Sequence, residues 1–287
     1  MLHANKKVLI FNSDSTSPKY NSYEKEYLKQ LSSNIIVEKV DENNIYMNLN
    51  SLEYILKTKK PDIIFCIGSL AYQAASQVAK GHNKLFCGIL NWKRFNVENK
   101  AFGIANELPA RMQLFTIRNY FSDIKKLGII YTPQMNKEWI KEVNKIASQM
   151  DFQIISKPVN NPEQVLTSLD GIINEVDALW LIPDPSVVTN KKLLNEYFKR
   201  ANQANKMIFT YNDFFVKAGA ALALTADIRT IASQAVIMTE SILEKGKILQ
   251  KIQYPAGIHI TVNLKKINQL NANLNYKALR SANKILK

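Results

Sequence analysis

Ser13 and Asp14 follow the apolar run VLIF, Gly68 and Ser69 follow IIFCI, and Asn91 and Trp92 follow LFCGIL. Further along, Thr132 and Asn136 follow LGIIY, Asp184 and Ser186 follow ALWLI, and Tyr211, Asn212 and Asp213 fall at the end of MIFTY. In a parallel α/β sheet ligands bind outside the carboxyl ends of the strands, so these residues are the candidates to hold a small molecule. Their chemistry is recognition. Hydroxyls, amides and carboxylates supply hydrogen bonds, and Trp92 and Tyr211 can each stack on an apolar or aromatic ligand for about 1 kcal/mol. Gly68-Ser69 stands where a strand turns into a helix, so backbone N–H groups and the helix dipole can receive a carboxylate. A plain Ser cap behind a tight Gly turn explains the same pair without a ligand. Asn136 has the same two readings at the start of the helix that bears Trp139. Trp180, inside a strand, reads as core, and Trp139 as packing for its own helix.

Catalytic patterns are missing. The chain has no GxGxxG after its first strand, no GxxxxGK[ST] loop, no GxSxG elbow and no HExxH. Asp14, Asp184 and Asp227 are isolated carboxylates at loop positions, and an acid/base pair of Asp14 with Asp184 is the enzymatic alternative. Caps, turns and ligand hydrogen bonds explain them more simply, so no enzyme and no cofactor is expected. Cys66 and Cys87 lie inside apolar runs without CxxC spacing, and His3, His82 and His259 are distant in sequence, which gives no metal site. A bridge between the two cysteines requires their strands to be neighbours.

These positions need strands and helices in alternation to carry them. VLIF at 8–11, IIVEKV at 35–40, IIFCI at 63–67 and LFCGIL at 85–90 read as four strands separated by segments of helical period. Tyr20, Tyr23, Tyr27 and Leu31 form one face of the first helix. The pattern restarts after residue 103. LGIIY at 127–131, FQII at 152–155, ALWLI at 178–182 and MIFTY at 207–211 give four more strands. AALAL at 220–224 reads as a short strand, a long amphipathic helix follows from Ile228 and stops at Gly246, IHITV at 258–262 is a last strand, and the Asn/Lys-rich tail reads as helical. The expected fold is α/β, with two Rossmann-like lobes of mostly parallel sheet joined by a short hinge and a ligand cleft between them. Lobe one takes residues 1–105 and 225–250, and lobe two takes 106–224 and 251–287.

At 287 residues the chain has length for two ordinary domains. The net charge of +14 is scattered along it without a helix-turn-helix, zinc or RRM signature, so a solvated basic surface is expected and nucleic acid is not. No run approaches the ~18–20 apolar residues of a membrane helix. Association with a membrane would then go through a signal or lipid-anchor segment outside this sequence.

From about Gly103 onward the order of segments resembles the ABC-transporter substrate-binding family that includes the tryptophan/tyrosine uptake lipoproteins. The segments are GIANELPARMQLF, KKLGIIYTPQMNKEW, VDALWLIPDPSVV, IFTYNDFFVKAGAALALTAD, IASQAVIMTESILEKGK and ITVNLKKINQL, covering roughly the last two thirds of the chain in order. The resemblance implies the periplasmic-binding-protein type I fold, a small-molecule ligand such as an amino acid, an ABC permease as partner and a periplasmic or extracellular location. It places Asn136 at a ligand-facing helix start, Asp184 in a loop at the cleft and the segment 211–219 along the hinge side. The family's usual Asp-Pro after the fourth strand stands here as Asn91-Trp92, and its Gly-Gly as Gly219-Ala220. A ligand-sensing domain cut from a signalling receptor of the same fold is the alternative function.

Overall fold

A computed structural model describes residues 6–40, 49–246, 248 and 250–287. The chain divides into two compact units, Met1–Glu107 with Ala226–Gly257, and Leu108–Thr225 with Ile258–Lys287. It therefore passes from one unit to the other three times, after Glu107, Thr225 and Gly257.

The first unit is built on a sheet of six strands: β1 (Lys7–Asn12), β2 (Ile36–Lys39), β3 (Ile63–Ile67), β4 (Asn83–Ile89), β5 (Ala101–Ala105) and β11 (Ile252–Gln253). Their order across the sheet is β11-β5-β4-β3-β1-β2, and every described pairing is parallel. The central strand β3 is buried at every position, as its unbroken apolar sequence IIFCI requires of a strand covered on both faces. Helix α1 (Pro18–Gln30) packs against the long helix Ile228–Lys245 of the second pass, where the Tyr27 hydroxyl lies 2.9 Å from Thr239 Oγ1. Asp227 caps that long helix by accepting the Thr230 N–H, and Gly246 ends it in the left-handed region with φ +67.

The second unit repeats the scheme with β6 (Lys126–Tyr131), β7 (Gln153–Pro158), β8 (Ala178–Leu181), β9 (Met207–Thr210), β10 (Leu222–Ala226), β12 (Ile258–Asn263) and β13 (Lys284–Leu286), in the order β13-β12-β10-β9-β8-β6-β7. Its helices run Pro133–Gln149, Gln164–Asp170, Lys191–Gln203, Phe214–Lys217 and Leu264–Gln269 after an opening helix, Ala110–Tyr120. Trp180 is 2% exposed and meets Trp139 edge to face, 5.4 Å between ring centres, so both tryptophans pack as their sequence positions suggested.

Several boundaries differ from the sequence reading. The strand Ala101–Ala105 belongs to the first sheet, whereas the sequence reading has no strand there and restarts the pattern after residue 103, inside it. Residues 251–257 were given to the second lobe, yet Ile252 and Gln253 pair with Gly103 and Ile104, so the first unit extends to Gly257. The tail holds only the short helix Leu264–Gln269 and a 3-10 turn at Tyr276–Ser281 before Lys284–Leu286 adds an edge strand to β12. The reason is cooperative: a three-residue strand has no period of its own, and pairing with β12 decides its conformation.

The cysteines are free and buried although β3 and β4 are neighbours. Cys66 is paired with Phe86 and Ile67 with Cys87. Consecutive side chains alternate between the faces of a sheet, so the one-residue offset puts the two thiols on opposite faces.

Candidate functional site

In the first unit the candidate residues sit at the carboxyl ends of β1, β3 and β4, where the sequence placed them. Most are held by their own loops. Asn12 donates from Nδ2 to Glu24 Oε2 at 2.8 Å and accepts the Asp14 N–H at 3.1 Å, which holds the exit from β1. Ser13 donates its N–H to Ile67 O, and its Oγ accepts the Ala71 N–H at 2.9 Å, so a hydroxyl from one strand end caps the helix Ser69–Val78. Gly68, with φ +88, makes this approach possible, because a Cβ there would lie 2.6 Å from Ser13 Oγ. The helix cap is thus Gly68, and Ser69 is the first helical residue rather than the cap that the sequence suggested. Ser69 Oγ instead accepts from Arg94 Nη2 at 3.1 Å, while the Arg94 guanidinium covers the Phe95 ring. Asp14 Oδ1 accepts from Thr16 Oγ1, Thr16 N and Ser17 N. The Thr16 hydroxyl leads the contacts that hold its carboxyl below the usual carboxylate value.

Asn91 adopts a left-handed backbone with φ +54, which asparagine tolerates better than most residues. Its N–H donates to Glu107 Oε1. Trp92 opens a short 3-10 turn and packs half-buried against the core that contains Phe11, Cys66 and Phe86. The ring is therefore partly spent on packing. Next to Glu107, Asn106 Oδ1 accepts from the Tyr23 hydroxyl at 2.7 Å. Glu107 Oε2 is buried and has no hydrogen-bond partner. Burial pushes the Glu107 carboxyl above its ordinary value, against the Asn91, Glu107 and Asn106 backbone N–H groups and the Lys93 charge. Asn106 and Glu107 were missed by the sequence reading because the strand they follow was missed. An apolar run ending in a polar pair, AFGIA then NE, was the available signal.

In the second unit one residue organises the strand ends. Asp184 is 1% exposed and accepts four hydrogen bonds, from Thr132 N at 2.6 Å, Thr132 Oγ1 at 2.7 Å, Asn136 Nδ2 at 2.8 Å and Ser186 N at 3.0 Å. Two acceptor positions on each carboxylate oxygen are filled, so Asp184 fastens the exits of β6 and β8 together and takes nothing else. Asn136 is not the cap of its helix; Thr132 holds that position, Pro133 begins the helix, and the Asn136 amide reaches inward to Asp184. Asp14 belongs to the first unit, where its own loop engages it, and Asp184 to the second, where Thr132, Asn136 and Ser186 do.

Tyr211 follows β9 half-buried, edge to face with Phe215 at 5.5 Å. Burial, with a smaller effect of the Asp184 charge, pushes its hydroxyl up to about 12. Asn212 Oδ1 accepts the Phe214 N–H at 3.0 Å. Asp213 stands at the start of the helix Phe214–Lys217, with Oδ2 3.9 Å from His259 Nε2 and with Oδ1 buried and unpartnered. Thr210 Oγ1, at the end of the same strand, is likewise buried without a partner. Among the described residues, no group of three or more His, Cys, Asp or Glu could hold a metal ion.

The profile of the ABC transporter substrate binding protein family matches residues 12–286. The chain belongs to that family. No curated protein matches it in sequence. Among solved structures it is similar to a ligand-free, open substrate binding protein with adhesive properties from Clostridium difficile, at 15% identity and TM-score 0.77, over 99% of this chain and 100% of the other. It is also similar to an ABC domain in complex with L-Trp from Streptococcus pneumoniae, at 15% identity and TM-score 0.64, over 99% and 100%. An ABC sugar transporter subunit from Rhodobacter sphaeroides matches at 11% identity and TM-score 0.50, over 90% and 98%. These likenesses show the periplasmic-binding-protein type I fold. ABC transporter substrate-binding proteins are extracytoplasmic and non-enzymatic, and they take a small-molecule ligand to a permease. No helix among the described residues is long and apolar enough to cross a membrane.

Proposed function

We propose that this protein binds a small amino acid with an aromatic side chain and presents it to the permease of an ABC importer, held at the outer surface of the membrane. The observation that supports the ligand class is the state of the strand ends. The loops are fixed by hydrogen bonds, while two strand-end carboxylates, one in each unit, keep a buried oxygen unfilled close in the chain to an aromatic residue. Glu107 Oε2 is that atom in the first unit, with the N–H of Asn91, the residue before Trp92, on the same carboxyl. Asp213 Oδ1 is that atom in the second, two residues after Tyr211. Buried acceptors of this kind call for a donor, and an ammonium group is the strongest that a small solute carries. The bound L-Trp of the pneumococcal relative is consistent with the choice. The net charge of +14 suits residence beside anionic headgroups.

A thermal-shift screen against amino acids, nucleosides and sugars tests the reading, because a ligand that prefers the native state raises the melting temperature by mass action. L-Trp or L-Tyr is expected to give a concentration-dependent rise. A rise with a sugar or nucleoside and with no amino acid would overturn the ligand class. Tyr211→Ala is expected to weaken an aromatic amino acid about fivefold, from the roughly 1 kcal/mol of a ring contact. Trp92→Ala is the companion probe in the first unit; both rings also pack on their unit's core, so the ligand-free melting temperature of each variant is recorded beside its affinity.

A further inference from the structure

The second unit carries a cavity of about 380 Å³ where the chain leads into β9. The helix Lys191–Gln203 lines it with Asn195, Phe198, Lys199 and Asn202, residues three and four apart that share a face. Lys206, just before β9, and Lys266, in the helix Leu264–Gln269, line it as well. Thr210 to Asp213 stand at the opposite end of β9, so the cavity is separate from the strand-end residues described above. Its volume lies within the roughly 300–1,000 Å³ of small-molecule sites.

Three ammonium groups thus bound one concavity, and none of its described lining residues is acidic. Lys206 Nζ donates to Val176 O at 2.7 Å and Lys266 Nζ to Asn202 Oδ1, both neutral acceptors. An ammonium has three N–H donors, so one such bond leaves donors on each lysine and leaves its charge uncompensated. Lys199 has the Glu196 carboxylate at 3.6 Å, an exposed pair that holds it only weakly. Burial lowers the Lys266 pKa, as expected of an ammonium partly withdrawn from water. A cleft lined by one sign of charge focuses its field and draws in the opposite charge. Lysines act as point donors, which suits the spread oxygens of a phosphate, whereas the planar fork of arginine matches a carboxylate; Arg200 of the same helix is already engaged by Asp170.

We infer that this cavity is a second binding site, which takes the phosphate group of a small phosphate ester against Lys199, Lys206 and Lys266 and the body of the ester against Phe198 and the Asn195 and Asn202 amides. A free ester and a phospholipid headgroup offer the same chemistry. The inference stands apart from the amino-acid reading of the strand ends.

Wild type is compared with two double variants, Lys199→Gln with Lys266→Gln in the cavity, and Lys137→Gln with Lys145→Gln, exposed lysines of the helix Pro133–Gln149 whose loss changes the net charge equally. Calorimetry with inorganic phosphate, glycerol 3-phosphate and glycerol, at about 0.15 M salt to screen exposed charges, is paired with sedimentation on phosphatidylcholine vesicles with and without phosphatidylglycerol. Wild type and the helix variant are expected to bind the phosphate group and not glycerol, and the cavity variant to bind it about tenfold more weakly or worse, having lost two charge-assisted contacts. Asn202→Asp keeps an acceptor for Lys266 and puts a negative charge into the cavity; the same loss is expected at an unchanged ligand-free melting temperature, which separates electrostatics from folding. Selective loss of soluble phosphate binding, with vesicle capture equal in the two double variants, supports the site and assigns it a free ester. Selective loss of capture by phosphatidylglycerol vesicles, with or without soluble binding, supports it and assigns a headgroup. Equal weakening in the two double variants would show only the general attraction of a +14 protein for anions and would overturn the site. Undiminished binding in the cavity variants, or no phosphate binding by wild type in any form, would overturn it too.

Discussion

Asp184 shows how far a residue's type and position can be read and where reading stops. Its place after an apolar strand marks a loop at the carboxyl end of a sheet, and the structure puts it there. The sequence does not reveal that all its acceptor positions are filled by Thr132, Asn136 and Ser186, because that depends on how two strand exits separated by some fifty residues come together. Asp184→Ala leaves these buried donors unpaired and is expected to cost about 3 kcal/mol or more, read as a lowered urea midpoint at unchanged slope. Lys84 makes the same point in the first unit. It is fully buried, and its Nζ donates to Ala79 O at 2.9 Å and to Glu98 Oε2 at 3.0 Å, a lysine in a strand that pattern alone would place at the surface. Glu107 adds a pH dependence of defined sign. Its folded pKa lies above the ordinary 4.5, so the folded state binds the proton more tightly than the unfolded one. The contribution is fully present below the unfolded value and is lost as pH rises from there through the folded value. Urea midpoints of wild type relative to Glu107→Gln are expected to decline as pH rises from the ordinary carboxylate value; a flat difference would contradict the burial that raises the carboxyl.

Individual elements were legible where they were long or unbroken. Strands at Lys7–Asn12, Ile63–Ile67 and Lys126–Tyr131 fall within a residue or two of their apolar runs, and the helix Ile228–Lys245 starts and stops at the residues that its Asp and Gly signals mark. Short edge strands were not, since Ile252–Gln253 and Lys284–Leu286 gain their conformation from a neighbour. The turn at Gly68 is the element on which the first unit's site depends most directly. It lets Ser13 cap the next helix across the gap between two strand ends, a relation between residues 58 apart that no local motif expresses. Gly68→Ala combines an unfavourable φ with a methyl driven against Ser13 Oγ, and is expected to destabilise by about 2 kcal/mol and to weaken ligand binding together with stability. The cysteines on adjacent strands supply a chemical check of register. Burial raises both thiols, and their side chains face opposite sides of the sheet, so iodoacetamide is expected to label neither in native buffer and both in urea, with no disulfide under oxidation. Native-state formation of a Cys66–Cys87 bridge would contradict the pairing.

At the scale of the whole chain, two copies of a strand-helix alternation announce two lobes, but the membership of each lobe is set by long-range packing. The helix Ile228–Lys245 belongs to the first unit because it covers α1: Tyr27 is fully buried, stacked on Phe65 at 4.1 Å and bonded to Thr239, and Ser233 reaches Gln30. A fragment of residues 1–107 would carry the five strands β1 to β5 and expose this face, leaving Tyr27 and its neighbours without the cover that gives their burial its value. Burying one such aromatic contributes on the order of 2 kcal/mol, and a domain's net stability is only about 5–15 kcal/mol. The fragment 1–107 is therefore expected to lack a cooperative thermal transition by circular dichroism. Joining residues 226–257 to it through a flexible Gly/Ser linker restores the helix and the edge strand Ile252–Gln253, and is expected to restore the transition. If the fragment 1–107 unfolds cooperatively on its own, the third pass of the chain contributes little to the first core. If the linked form also fails, each unit depends on the other for its fold.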